Sequence, residues 1–252
     1  MQLSFGKRAF AVLALSLAIG SASAEELIVS AAASLTNAFK ALGPAFEAQH
    51  PGTKVLFNFA ASDALVQQIA KGAPVDVFAS ADQDAMDAAQ AQQLLAVGTR
   101  KNFVGNSLVL IVPADSTLAL ATVADLAQAA VKRVAVGNPA SVPVGRYTRH
   151  ALEQAKLWSA VEPKAIYAQS VRQGLDYVAR GEVDAGFVYN TDAAIQKTKV
   201  RVVTTVPTET AIRYPIAAIA NRPHGETARQ FIDFTLSATG QALLGQYGFL
   251  KP

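Results

Sequence analysis

Four short segments share a chemistry that needs no charged side chain. Ala33-Ser34-Leu35, Ala61-Ser62-Asp63, Pro143-Val144-Gly145 and Ser170-Val171-Arg172 each stand where an extended run gives way to a helical one, with a small or hydroxyl residue at the start. The first amides of a helix lack an intrahelical acceptor and sit at the positive end of its dipole. Such starts suit an oxyanion, which accepts hydrogen bonds and donates none. In an α/β sheet they gather at the carboxyl ends of the strands, the usual ligand edge. Serine there also has a purely structural use as a helix N-cap, and spacing alone leaves both uses open.

Catalytic chemistry finds less to work with. His50, His150 and His224 lie far apart, and none stands in H-E-x-x-H or H-x3-H spacing, so the sequence supports no histidine metal site. The absence of cysteine removes disulfide scaffolds, thiol nucleophiles and Cys-ligated metal centres. No G-x-S-x-G elbow and no glycine-rich phosphate loop is present. Asp82, Asp84 and Asp87 have the alternate spacing of a calcium loop but lack its glycine and final glutamate, and they read as an acidic helix start. Asp76 has no evident partner for acid–base work. An exported hydrolase using Ser34 or Ser62 as nucleophile would need a base that nothing nearby supplies.

The elements that position these segments follow from composition and patterning. The 252 residues are 51% hydrophobic and 16% charged, which bounds the chain to one large or two modest domains with a real core. Its net charge of +3, with Lys and Arg dispersed, argues against a nucleic-acid surface. Basic Lys7-Arg8, apolar Ala9 to Ile19 and the small residues Ala22-Ser23-Ala24 make residues 1–24 a cleavable signal peptide, too short to span a bilayer. Two cations leave with it, so the mature chain carries about +1. Residue 25 is Glu rather than Cys, so the expected product is an untethered periplasmic protein.

Beyond the leader, strands are expected at Leu27-Ile28-Val29, Thr53 to Phe59 and Val75 to Phe78. A helix with Leu35, Ala38, Phe39, Leu42 and Phe46 on one face follows Ser34, and Pro44 should kink or split it. Further helices run from Ala64 to Lys71 and from Asp82 to about Leu95. The pattern restarts after Gly105. Strands are expected at Leu108 to Val112, Val134 to Val136, Lys164 to Ala168, Ala185 to Tyr189, Arg201 to Val206 and Tyr214 to Ala220. Helices are expected at Val123 to Ala130, Val144 to Leu157, Ser170 to Gly181, from Thr191, at Glu226 to Leu236 and at Thr239 to Tyr247. This alternation implies two α/β lobes with mostly parallel sheets, joined by strand-like crossovers, the last helices returning to the first lobe.

These residues carry a resemblance. Ala31-Ala32-Ala33-Ser34-Leu35-Thr36-Asn37-Ala38-Phe39, Phe59-Ala60-Ala61-Ser62 and Gly72-Ala73-Pro74-Val75-Asp76-Val77-Phe78-Ala79-Ser80-Ala81-Asp82-Gln83 resemble the periplasmic molybdate-binding proteins of ABC importers, the ModA family. Gly105-Asn106-Ser107-Leu108, Ala135-Val136-Gly137-Asn138-Pro139, Val142-Pro143-Val144-Gly145-Arg146-Tyr147, Val171-Arg172-Gln173-Gly174-Leu175, Val188-Tyr189 and Tyr247-Gly248-Phe249 continue it across the mature chain. The resemblance implies a two-lobe type II periplasmic binding fold that closes on a tetrahedral oxyanion. Lobe 1 would comprise residues 25–104 plus 218–252, and lobe 2 residues 105–217. The ligand would meet the hydroxyls of Ser34, Ser62 and Tyr189 and the amides of Ser34, Ser62, Val144 and Val171. Molybdenum or tungsten would be held as the oxyanion, with no bond from protein to metal.

The same resemblance implies a non-enzymatic monomer without cofactor or nucleic acid, delivering its anion to an inner-membrane ABC permease. Asp63 departs from the pattern, which often has another small hydroxyl residue there. It is expected to face outward or to pair with a cation, since it would repel a dianion. Arg146 and Arg172 are expected to face solvent or bridge the lobes rather than touch the ligand. The rival readings are the same fold tuned to sulfate, phosphate or a small carboxylate, the serine hydrolase, and a ligand-free structural or signalling module.

Overall fold

The computed structural model describes residues 25–252; the signal-peptide reading of residues 1–24 lies outside them. In chain order the elements are β1 (Glu25–Ala32), α1 (Thr36–Glu47), β2 (Thr53–Ala60), α2 (Ser62–Ala70), β3 (Val77–Ala79), α3 (Gln83–Ala91), β4 (Lys101–Asn106) and β5 (Leu108–Pro113). Then come β6 (Val134–Gly137), α4 (Pro143–Gln154), α5 (Trp158–Val161), β7 (Ala165–Ala168), α6 (Val171–Ala179) and β8 (Ala185–Tyr189). The chain closes with α7 (Asn190–Ile195), β9 (Val200–Val206), β10 (Ile212–Ala218), α8 (Gly225–Leu236) and α9 (Ala238–Gln246). Among the described residues no helix is long and apolar enough to cross a membrane.

Two five-stranded sheets result, ordered β2-β1-β3-β10-β4 and β7-β6-β8-β5-β9. In each sheet the fourth strand, β10 or β5, runs antiparallel to both neighbours, so the sheets are mixed, with four strands sharing one direction. The odd strand is the one that arrives from the other sheet. Chain passes across at Asn106-Ser107-Leu108 and again between β9 and β10, which makes the second sheet a near copy of the first.

Three expectations change. Residues 212–217, placed in the second lobe, belong by pairing to the first sheet, where β10 bonds to β3 and β4. Gly105 and Asn106 likewise pair there. Pro44 does not split α1: it lies in the last turn, where its missing N–H removes only one bond of the ladder. The helix from Asp82 stops at Ala91, and Gln93 follows with φ +58°.

Strand β5 is buried except at Pro113, and β1 is buried from Val29 to Ala32, as helices on both faces require. Phe39 and Phe46 of α1 pack edge-on against Phe231 of α8, with ring centroids 6.1 and 5.2 Å apart, so the closing helices do return to the first sheet. Asp76, just before β3, accepts from the Ile28 N–H at 2.9 Å and pairs with Arg222 at 3.1 Å. It is a buried structural tie, not an acid–base group.

Candidate functional site

The five residues singled out in the sequence come together. Ser34, Ser62, Val144, Val171 and Tyr189 all line one small cavity between the two sheets, about 10 Å³ in volume. The rest of its wall is alanine (Ala32, Ala33, Ala60, Ala61, Ala81), Val142 and Pro143, so no lining side chain is charged. Each half contributes helix starts. Ser34 sits in a 3-10 turn (Ala33–Leu35) between β1 and α1, and Ser62 opens α2. Val144 and Val171 stand in the first turns of α4 and α6.

Local sequence explains the precision of the α4 start. Pro143 occupies its first position, where a missing N–H costs nothing, so the Val144 amide is the first donor of the helix. Gly145 then presses on the end of β6: a Cβ there would fall 1.9 Å from the Gly137 carbonyl oxygen. Only glycine permits that approach, which fixes where the Val144 amide points.

The N-cap alternative separates the serines. Ser170 is a true cap, accepting from the Gln173 N–H at 3.2 Å, and Asp82 caps α3 by accepting from Ala85 N–H. Ser34 and Ser62 cap nothing: the N-caps of α1 and α2 are Leu35 and Ala61, without side-chain bonds. Instead Ser62 Oγ accepts from the Ala81 N–H at 3.0 Å, and Ser34 Oγ lies 3.0 Å from the Tyr214 hydroxyl. Both serines are buried and border the cavity. The Tyr189 hydroxyl is buried with no hydrogen-bond partner among the described residues. Burial, and secondarily Tyr214, raises its pKa well above 10, so it keeps its proton and stays a donor.

Charge is arranged around the cavity rather than in it. Arg146, on α4, reaches across to the first half, donating to Asp82 Oδ2 through Nε at 2.8 Å and to Asp63 through Nη1 at 2.7 Å. Asp63 is thus paired with a cation, as expected of it. Arg172, on α6, donates to Asp192 Oδ1 at 2.6 Å, Asn37 Oδ1 at 2.8 Å and the Ser34 carbonyl at 3.2 Å. Both arginines bridge the two halves. Their partners Asp82 and Asp192, with Tyr214 and Asn106, were not read as site residues in the sequence because contacts across 20 to 180 positions leave no local pattern.

The hydrolase reading finds no base. His50 stacks on Phe46, His224 bonds the Glu26 carbonyl and His150 faces Glu209, so none approaches Ser34 or Ser62. Among the described residues no three His, Cys, Asp or Glu side chains converge to hold a metal ion. Asp87 of the acidic run pairs outward with Arg100.

Comparison with known proteins follows the same line. Residues 27–250 match the family described as bacterial extracellular solute-binding protein. The molybdate-binding protein ModA of Escherichia coli (strain K12) is 36% identical over 249 residues, 95% of this chain and 96% of that protein. In fold the chain is similar to the periplasmic molybdate-binding protein of Azotobacter vinelandii, with a TM-score of 0.77 and 23% identity over 90% of this chain and 99% of that one. It is equally similar to the sulfate-binding protein SubI from Mycobacterium tuberculosis H37Rv, with a TM-score of 0.79 and 20% identity over 89% of this chain and 86% of that one. Two anions thus occur on one fold, and only the sequence likeness separates them. On that likeness, the chain belongs to the ModA family of bacterial extracellular solute-binding proteins.

Proposed function

We propose that this protein captures molybdate, and tungstate with it, in the periplasm after removal of residues 1–24, and delivers the anion to an inner-membrane ABC permease. It is a binding protein, not an enzyme. The observation that carries the reading is the Tyr189 hydroxyl, a protonated donor buried beside the cavity without a partner among the described residues. A buried donor left unpaired costs free energy, and an oxyanion in the cavity removes that cost. The Ser34 and Ser62 hydroxyls and the amides at Ser34, Ser62, Val144 and Val171 would complete the shell.

A dianion that leaves water needs fixed donors in place of its hydration. Neutral hydroxyls and amides supply them, and their fixed positions set the size of anion accepted. Molybdate and tungstate have nearly equal bond lengths, whereas sulfate is smaller and would stretch some of the bonds. Calorimetric titration of anion-free protein with molybdate, tungstate, sulfate and phosphate tests this. Tight binding of the first two over the others is expected; absent molybdate binding, or equal sulfate binding, overturns it. Tyr189→Phe should weaken molybdate by about 1–3 kcal/mol, and wild-type affinity in that variant would remove Tyr189 from the shell.

A further inference from the structure

Ser34 can turn its O–H toward the anion or away from it, and the groups behind it decide which. Asn106, at the crossover from β4 to β5, is buried. Its Oδ1 accepts from the Ser107 N–H at 2.9 Å, which fixes the amide orientation. Both Nδ2 protons are then directed inward, one to Thr191 Oγ1 at 2.9 Å and one to the Tyr214 hydroxyl oxygen at 3.3 Å. Tyr214 is fully buried, and burial raises its pKa, so it too carries a proton. With Asn106 Nδ2 as a donor, the sole acceptor left for that proton among the described residues is Ser34 Oγ, 3.0 Å away. Ser34, accepting from Tyr214, has its own proton free, and the residue lines the cavity.

We propose that Asn106 and Tyr214 are positioning residues that fix the polarity of Ser34, so that its proton is directed into the cavity. The relay runs from the chain crossover, through β10 of the first sheet, to the anion, with Thr191 of α7 as its tie to the second half. Ser62 is fixed in the same sense by the Ala81 N–H, which only donates. The two serines thereby present their protons to the cavity. That polarity favours a fully ionised tetrahedral oxyanion, which accepts from every hydroxyl at once, over a protonated one, whose O–H must take one of those hydroxyls as its acceptor. The inference rests on the oxyanion reading above and adds the residues that set its selectivity.

A double-mutant cycle tests it. Molybdate and phosphate affinities are measured near neutral pH, where phosphate retains a proton, for wild type, Ser34→Ala, Tyr214→Phe and the double variant, and in a parallel cycle with Asn106→Ala. Tyr214→Phe keeps the ring and removes only the hydroxyl, so the fold persists. In the Ser34 background it should cost molybdate about tenfold in affinity and narrow the molybdate-to-phosphate ratio by a similar factor. In the Ser34→Ala background it should cost less than about twofold, because no hydroxyl remains to orient. Asn106→Ala should follow the same pattern with a smaller loss. Equal losses in both backgrounds, or an unchanged anion ratio, overturn the proposal. If wild type prefers sulfate, the molybdate reading fails while the cycle is still decided with sulfate. If wild type binds no oxyanion, both fall.

Discussion

Asp192 is fully buried, and only one of its oxygens is partnered: Oδ1 accepts from Arg172, while Oδ2 has no hydrogen bond among the described residues. Burial raises its pKa from 3.8 to about 6, against the opposing pull of Arg172. The folded state therefore holds this proton more tightly than the unfolded chain does. The contribution of Asp192 to stability grows as pH falls through about 6, is complete below about 4, and is absent above 7. Asp192→Asn keeps an acceptor for Arg172 and removes the titration. Denaturant unfolding of both proteins from pH 7 to pH 4 should show wild type gaining about 2 kcal/mol relative to the variant, an order-of-magnitude figure from the size of the shift. A pH-independent difference would mean that Asp192 is ionised throughout and that its bare oxygen is solvated.

At the scale of elements, the proposed amide donors would depend on how a helix start is seated rather than on the side chain that bears the amide. Val144 is buried, so Val144→Ala should cost about 2 kcal/mol of stability while leaving molybdate affinity within about twofold. Gly145→Ala should do the reverse of sparing the site. A Cβ placed 1.9 Å from the Gly137 carbonyl must push α4 off β6 and misdirect the Val144 amide, costing more than about tenfold in affinity. Calorimetry on the pair separates amide from side chain; a large binding loss in Val144→Ala would show the opposite. This dependence on seating also explains what the sequence could reveal. Helix starts are local patterns, so Ser34, Ser62, Val144 and Val171 were legible from residue types, and Tyr189 through the family resemblance. Strand β4 was not: its exposed Lys101 and Asn102 break the apolar run, and it exists because β10 pairs with it. The partner of β10 was equally hidden, since its local pattern suits either sheet. Pro44 reads as a helix breaker in isolation, yet tertiary packing of Phe39, Leu42 and Phe46 holds the helix through it. The relay behind Ser34 joins residues up to 180 positions apart, which no window along the chain can see.

In the whole molecule, two near-equivalent sheets face each other across a neutral cavity, and the charged contacts that join them lie to its sides. Arg146 and Arg172 both start from the helix turns whose amides are proposed to meet the anion, so on that reading one closing movement would make both the bridge and the anion shell. Separating the halves would break the Arg146 bonds to Asp63 and Asp82 and leave two carboxylates near each other beside the site. If the anion meets separated halves before the bridge forms, the energy of the bridge bears on the barrier to release rather than on encounter. The bridge is partly exposed, with 23% of the Arg146 side chain accessible, so solvent screening reduces its worth to about 1–2 kcal/mol. Arg146→Met should therefore speed molybdate release by roughly 5- to 30-fold while changing the association rate by less than about threefold. Stopped-flow displacement by excess tungstate measures the first and pseudo-first-order binding the second. A variant that lost affinity mainly through slower association would instead assign Arg146 to electrostatic guidance of the anion. Unchanged rates would mean that closure is held by the cavity's hydrogen bonds alone.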